Sequence, residues 1–302
     1  MVPAASLPDE VRAHAGAIAA GARAVRIDHE RLEALTWPRD APAPALDPAC
    51  HYLEGSEADV ATYLLTIDAI NFGSGWFPTL AKRRGRDGRT VSGYFTVAAA
   101  LTARFRAHGP WTNAELRAMR TEEVAATLGQ RPDHELMALY AQALRSLGVF
   151  LGERSALSLV SEAGGSAAAL ARTVADGMAL WADRGFYKRA QLLAADLALA
   201  GVATFSDLDR LTIFADNLVP HVLRCDGVLV YEPLLAAHID RGDPLTMGPW
   251  EREIRGCAVH ACATLAPRLG LPEQALDHLL WNRGQAAEYK ARPRHRCRTV
   301  FY

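Results

Sequence analysis

Asp216 lies in the run Leu211-Thr212-Ile213-Phe214-Ala215-Asp216-Asn217-Leu218-Val219, where a carboxylate and an aromatic ring stand among apolar residues. A second run, Arg184-Gly185-Phe186-Tyr187-Lys188-Arg189-Ala190-Gln191-Leu192-Leu193, sets a cationic pair in similar surroundings. Polar groups among buried residues cost free energy unless they are paired or used. A carboxylate so placed can take up a proton or face a developing positive charge. The plainer alternative for Asp216 is an aspartate in the first turn of a helix, favoured by the local dipole. For Lys188 and Arg189 it is a solvated basic turn.

The elements that position these residues read as helical. The chain has 302 residues, 50% hydrophobic and 22% charged, which is ordinary for a globular protein able to bury a substantial core. Apolar residues recur at three- and four-residue spacing, and alanine-rich helix formers dominate from Ala98 to Ala200. The spacing predicts helices over residues 57–72, 112–128 with Thr112 as cap before Glu115, 132–147, 156–162, 166–182, 187–200 and 206–224. Within the last of these, a short helix is expected from Ser206 to Leu211 and another from about Phe214. A minor β-hairpin is expected from Phe77 to Leu80 and Gly93 to Val97, with Asp87-Gly88 in the charged stretch between them suiting the turn. Trp37 to Pro48 reads as a covering loop. One mainly α, globular domain over residues 1–302 is the expected architecture.

Several function classes are disfavoured. Thirty-three basic against thirty-four acidic residues leave a net charge of −1, too weak a field to draw a long polyanion to the surface. The start, Met1-Val2-Pro3 with Asp9 and Glu10, carries no long apolar run, so the expected location is cytoplasmic, with no membrane partner. Five cysteines (Cys50, Cys225, Cys257, Cys262, Cys297) without a CxxC pair argue against a disulfide framework and a thiolate zinc site. There is no HExxH, no GxxxxGK[ST], no GxGxxG and no GxSxG, so the expectation is a cofactor-free, metal-free site.

The region of residues 184–224 resembles the helix-hairpin-helix region of base-excision DNA glycosylases. The glycines that let such a hairpin approach a DNA phosphate are absent; Thr212, Ile213 and Phe214 stand in their place, against duplex backbone binding. Asp68-Ala69-Ile70-Asn71-Phe72, Phe186-Tyr187-Lys188-Arg189-Ala190-Gln191, Leu211-Thr212-Ile213-Phe214-Ala215-Asp216, Glu253-Ile254-Arg255 and Pro293-Arg294-His295-Arg296-Cys297-Arg298-Thr299 together resemble the queuosine salvage protein family. These blocks span most of the chain in order. The resemblance implies a fold similar to that of the helix-hairpin-helix glycosylases. It also implies hydrolysis of queuosine 5'-monophosphate at its N-glycosidic bond, releasing the 7-deazaguanine base queuine and ribose 5-phosphate for reuse in tRNA modification. The competing class is a non-catalytic helical binder of modified tRNA or DNA.

Under that resemblance each candidate acquires a part. Cleaving an N-glycosidic bond develops positive charge on the ribose, which Asp216 would face. The base needs a flat apolar slot with polar groups at its edge. Asp277, in Ala275-Leu276-Asp277-His278-Leu279-Leu280-Trp281, is the first carboxylate for that edge, with Asp196 and His51 as further candidates. Phe214 is the first stacking ring, followed by Phe72 and Trp281. An exposed helix face competes for Asp277, a structural role for His51, and core filling for the three rings. Phosphate or ribose contacts fall to Lys188, Arg189, Asp68 and Asn71, although Asp68 can instead anchor the Asn71-Phe72 turn. Arg292, Arg294, Arg296 and Arg298 form a second basic group, whose alternation suggests an extended segment with one basic face, packed under the site.

Overall fold

The computed structural model describes residues 6–36, 43–84 and 90–302. In chain order the first elements are α1 (Leu7–Gly21), β1 (Val25–Ile27), α2 (His29–Ala34), α3 (Glu57–Ala69), α4 (Gly93–His108), α5 (Asn113–Ala118) and α6 (Thr121–Leu128). They are followed by α7 (Glu135–Leu151), α8 (Ala156–Glu162), α9 (Ala167–Gly177), α10 (Lys188–Leu199), α11 (Val219–Cys225) and β2 (Leu229–Tyr231). The chain then continues through α12 (Pro233–Asp240), α13 (Pro249–Leu269), α14 (Glu273–Arg283) and α15 (Ala287–Lys290).

Polar side chains fix where these helices begin. Ser56 and Asp59 form a capping box at α3, and Thr112 and Glu115 form one at α5, each accepting N–H groups that the first turn cannot pair internally. The single helix expected over 112–128 is broken: Met119 leaves helical dihedrals and α6 starts afresh at Thr121. The hairpin expectation is also corrected. Residues Phe77–Thr79 form a 3-10 turn, and Gly93 to Val97 open α4, where the Ser92 hydroxyl caps the Phe95 N–H. Pairing survives closer to the turn, as an antiparallel bridge from Arg84 to Thr90. The Asp87-Gly88 turn itself lies outside the described residues, as do Trp37 to Pro42 of the expected covering loop.

The regular sheet joins segments far apart in sequence. β1 pairs antiparallel with β2, Val25 against Tyr231 and Ile27 against Leu229. The Glu253 carboxylate of α13 accepts the N–H groups of Arg23, Ala24 and Val25, which ties this ribbon to the helices. Below it, α1 packs along α13, while α3 and α9 pack against α10. α3 is buried on nearly every face from Val60 to Ala69, as a helix enclosed by other helices must be.

A buried cation holds the next layer together. The Arg255 guanidinium donates to both Asp183 oxygens at 2.6 and 3.0 Å, to Glu251 at 3.3 Å and, through Nε, to the Ala215 carbonyl at 2.9 Å. Its planar faces lie against the Phe186 and Tyr302 rings, 4.1 and 4.5 Å from their centroids. Asp183 also accepts the Lys188 N–H at the start of α10. We predict that Arg255→Met, which leaves two buried carboxylates facing each other, costs about 3–5 kcal/mol of stability. The check is a lower urea midpoint with an unchanged slope; a midpoint within experimental error of the wild type would contradict it.

Candidate active site

Residues 211–218 run as an irregular segment between a 3-10 turn at Leu208–Arg210 and α11, so the helix expected from about Phe214 starts only at Val219. Side chains from other elements take over its backbone hydrogen bonding. The Gln191 amide accepts the Thr212 N–H at 3.0 Å and donates to the Thr212 hydroxyl at 2.9 Å. The Asp277 carboxylate accepts the Phe214 N–H at 2.8 Å, and Arg255 donates to the Ala215 carbonyl. Asp216 then accepts the N–H groups of Leu218 and Val219 on one oxygen, Oδ1, at 2.6 and 3.3 Å. That oxygen serves the start of α11, which is the structural part the sequence allows for. Oδ2 makes no hydrogen bond among the described residues.

This segment forms one wall of a cavity of about 560 Å³. α10 contributes Lys188, Leu192, Ala195, Asp196 and Leu199, spaced three and four apart so that they share a face. α14 contributes Gln274, Asp277, His278, Trp281 and Asn282 by the same spacing. Asn71, Phe72, Tyr94 and Phe95 close another side, and Pro44 to Asp47 lie across it, the described part of the expected covering loop. No three His, Cys, Asp or Glu side chains among the described residues come together as a metal site.

Nine of the expected residues thus meet in one place: Asp216, Phe214, Asp277, His51, Asp196, Phe72, Trp281, Lys188 and Asn71. Arg189 and Asp68 do not line the cavity. The Arg189 guanidinium is spent on the carbonyls of Asp68, Ala69, Leu180 and Val300 and lies between the Phe72 and Trp181 rings. Both terminal nitrogens are used in this way and only the buried Nε–H is left without a partner. The side chain does not line the cavity, and its part is to tie α10 to α3 and the C-terminal segment. Asp68 is fully buried and accepts from the Asn71 amide at 3.2 Å, anchoring the turn after α3.

The cavity has two electrostatic ends. Arg292, Arg294 and Arg296 project from the C-terminal segment with Lys82 and Lys290 nearby. The side chains of Arg294 and Arg296 make no ion pair among the described residues. Burial lowers the pKa of Arg294, Asp216 raises it and Arg296 lowers it again, so the Asp216 charge reaches this cation across the cavity they both line. Arg298 leaves the row and pairs with Glu135 at 3.3 Å. The alternation in the sequence points to this basic face, but nothing in it says which arginines turn inward.

Away from that end the carboxyls are driven toward neutrality. Burial first, and then the Asp216 charge, push Asp277 up to about 7, against the pull of the Phe214 N–H and Lys188. Burial lowers the pKa of Lys188, while Asp216, Asp68 and Asp277 draw it back up. Beyond Asp277, His51 donates from Nδ1 to the Asp47 carbonyl at 3.0 Å, because a carbonyl can only accept. Burial lowers its pKa, so Nε2 of the neutral ring accepts from the Tyr94 hydroxyl at 2.8 Å. Both His51 nitrogens are engaged, and Tyr94, which no sequence pattern singled out, is the group they orient.

Comparison with known proteins bears on this arrangement. The model of the queuosine salvage protein family matches residues 50–302. A Sphaerobacter thermophilus protein named queuosine 5'-phosphate N-glycosylase/hydrolase is 35% identical, covering 93% of this chain and 94% of the relative. A Mus musculus protein of the same name is 28% identical over 98% of this chain and 99% of the relative. A Dictyostelium discoideum protein, again so named, is 36% identical over 39% of this chain and 40% of its own.

The raised Asp277 carboxyl carries a stability consequence. Its pKa climbs from the usual 3.8 to about 7, so the folded state holds the proton more tightly than the unfolded chain does. Stability from this group is fully present below pH 3.8 and is lost as the pH rises through about 7. We predict that Asp277→Asn melts above the wild type at pH 8 and that the difference vanishes near pH 4. Parallel melting curves across that range would remove the assignment.

Proposed function

The chain belongs to the queuosine salvage protein family, and we propose that it hydrolyses the N-glycosidic bond of queuosine 5'-monophosphate to queuine and ribose 5-phosphate. The observation that carries this reading is the order of charge along the cavity: unpaired arginines, then Asp216, then carboxyls held close to neutrality. A nucleoside monophosphate has the matching order of anion, sugar and heterocycle.

With the phosphate at Arg294 and Arg296, the anomeric carbon comes to Asp216 and the base reaches the far end. Phe214 supplies a flat apolar face there, and Trp281 borders the same space. Asp277 meets the donors on the base edge, its other oxygen already tied to the Phe214 N–H. As the C1'–N9 bond lengthens, positive charge grows on the ribose and negative charge on the base. Asp216 faces the first, and its free oxygen takes the proton of the attacking water. The two amides on Oδ1 fix the carboxylate before substrate arrives, so little reorganisation is needed during reaction. Lys188, set among Asp216, Asp68 and Asp277, offsets the charge of these carboxyls rather than serving the phosphate.

Of the described residues, no helix is long and apolar enough to cross a membrane, and our reading is of an enzyme acting on a free nucleotide in the cytoplasm. Incubation with queuosine 5'-monophosphate, followed by chromatography of the released base, tests the activity. Failure to release queuine, with salt-sensitive retention of tRNA instead, would favour the binding class.

Two substitutions test the roles. Asp216→Asn keeps the shape and removes the charge, and we expect turnover to fall by about two to four orders of magnitude; near-normal turnover in the folded variant would remove Asp216 from the chemistry. Arg294→Ala removes a charge-assisted contact worth roughly 1.5–3 kcal/mol, so the preference for nucleotide over unphosphorylated nucleoside should shrink by about one to two powers of ten. Full preference retained would send the phosphate elsewhere.

A further inference from the structure

Asp196 is 5% exposed, lines the cavity and accepts no hydrogen bond among the described residues. The groups around it are Asp68 and Tyr63 from α3, Tyr94 from α4, Lys188 from its own helix and Asp277 from α14. Two of these are carboxyls and one a single ammonium shared with Asp216. An ionised carboxylate here would have no donor and little water to solvate it, whereas a carboxylic acid is uncharged and has an O–H to give. Burial, then Asp68, against the pull of Lys188, and then Asp277, push its pKa well above the usual range.

The departing base supplies the need for such a group. A purine can be protonated at N7 to ease its departure, but a 7-deazaguanine has carbon at that position. The electron pair is left on N9, and while the C1'–N9 bond is still intact the lone pairs that can take up a proton are those of the six-membered ring, at N3 or O6. Asp196 lines the cavity, and the charges that act on it are those of Asp68, Lys188 and Asp277, with no arginine among them, which fits the part where the functional reading above places the base.

Resting on that reading, we propose that Asp196 is the general acid of the reaction, its carboxyl O–H hydrogen-bonded to the six-membered ring of the bound base. As C1'–N9 breaks, the bonding electron pair stays with the base and the Asp196 proton moves onto it. The water oxygen bonds to C1' and its proton goes to Asp216. One carboxyl has lost a proton and another has gained one, and exchange with solvent after product release restores both.

The test uses Asp196→Asn, which has the shape of a neutral acid and can donate a hydrogen bond but no proton; an unchanged melting temperature verifies its fold. Turnover is measured on queuosine 5'-monophosphate and on 4-nitrophenyl β-D-ribofuranoside 5-phosphate, whose nitrophenolate departs without protonation. We expect a loss of about two to four orders of magnitude on the nucleotide and less than about ten-fold on the nitrophenyl compound. The pH profile on the nucleotide decides independently of the artificial substrate. The wild type loses turnover on the alkaline side as Asp196 ionises, and the variant lacks that descent. An equal loss on both substrates, a nucleotide turnover near that of the wild type, or an alkaline limb kept in the variant would overturn the inference. A wild type that releases no base from the nucleotide would overturn the functional reading itself.

Discussion

The buried Arg255 guanidinium is the constraint on which the rest depends. It satisfies Asp183 at the entrance to α10, Glu251 one turn back on α13 and the Ala215 carbonyl next to Asp216, with aromatic rings on both faces. A buried charge of this kind is tolerated only when its donors are used with good geometry. Satisfying it fixes three chain segments at once, and two of them carry cavity residues. The non-glycine backbone at Tyr187, with φ of 51°, follows from the same junction. Its N–H is held by the Asp183 carbonyl and its hydroxyl by Glu10, so the turn that presents Lys188 is pinned from both sides.

The helices with local signals were legible in the sequence. Thr112 with Glu115, and the full span of α8, followed from capping and periodicity. α4 was misread at its start because Gly93-Tyr94-Phe95-Thr96-Val97 is rich in aromatic and β-branched residues; burial among neighbouring helices overrides that preference. β1 and β2 are three residues each and some two hundred apart, so no pattern within either could announce the other. The irregular segment at 211–218 escaped for a related reason. Its backbone partners are Gln191, Asp277 and Arg255, three side chains on three other helices.

The candidate site was legible through family resemblance far more than through spacing. Lys188 and Arg189 show why adjacency misleads. Consecutive helical residues point about 100° apart, so Lys188 turns into the cavity while Arg189 turns into the core and its carbonyls. The C-terminal arginines were visible as a basic alternation, yet only packing decides that Arg294 lines the cavity, where the Asp216 charge acts on it, while Arg298 pairs with Glu135. Tyr94 carried no signal at all, since its role is defined by the nitrogen of a histidine on a separate segment.

With the nucleotide seated as we propose, the graded charge of the cavity makes it a one-way receptacle. Arginines stand at one end, and at the other are buried carboxyls, with Lys188 among them, that burial and mutual repulsion raise toward neutrality. A ligand inserted backwards would press an anion against acidic groups and leave the arginines facing an uncharged ring. Wrong-way docking is therefore rejected by desolvation and repulsion before any shape is tested. The same gradient loosens after bond cleavage, when phosphate and base no longer belong to one molecule and neither holds the other in place.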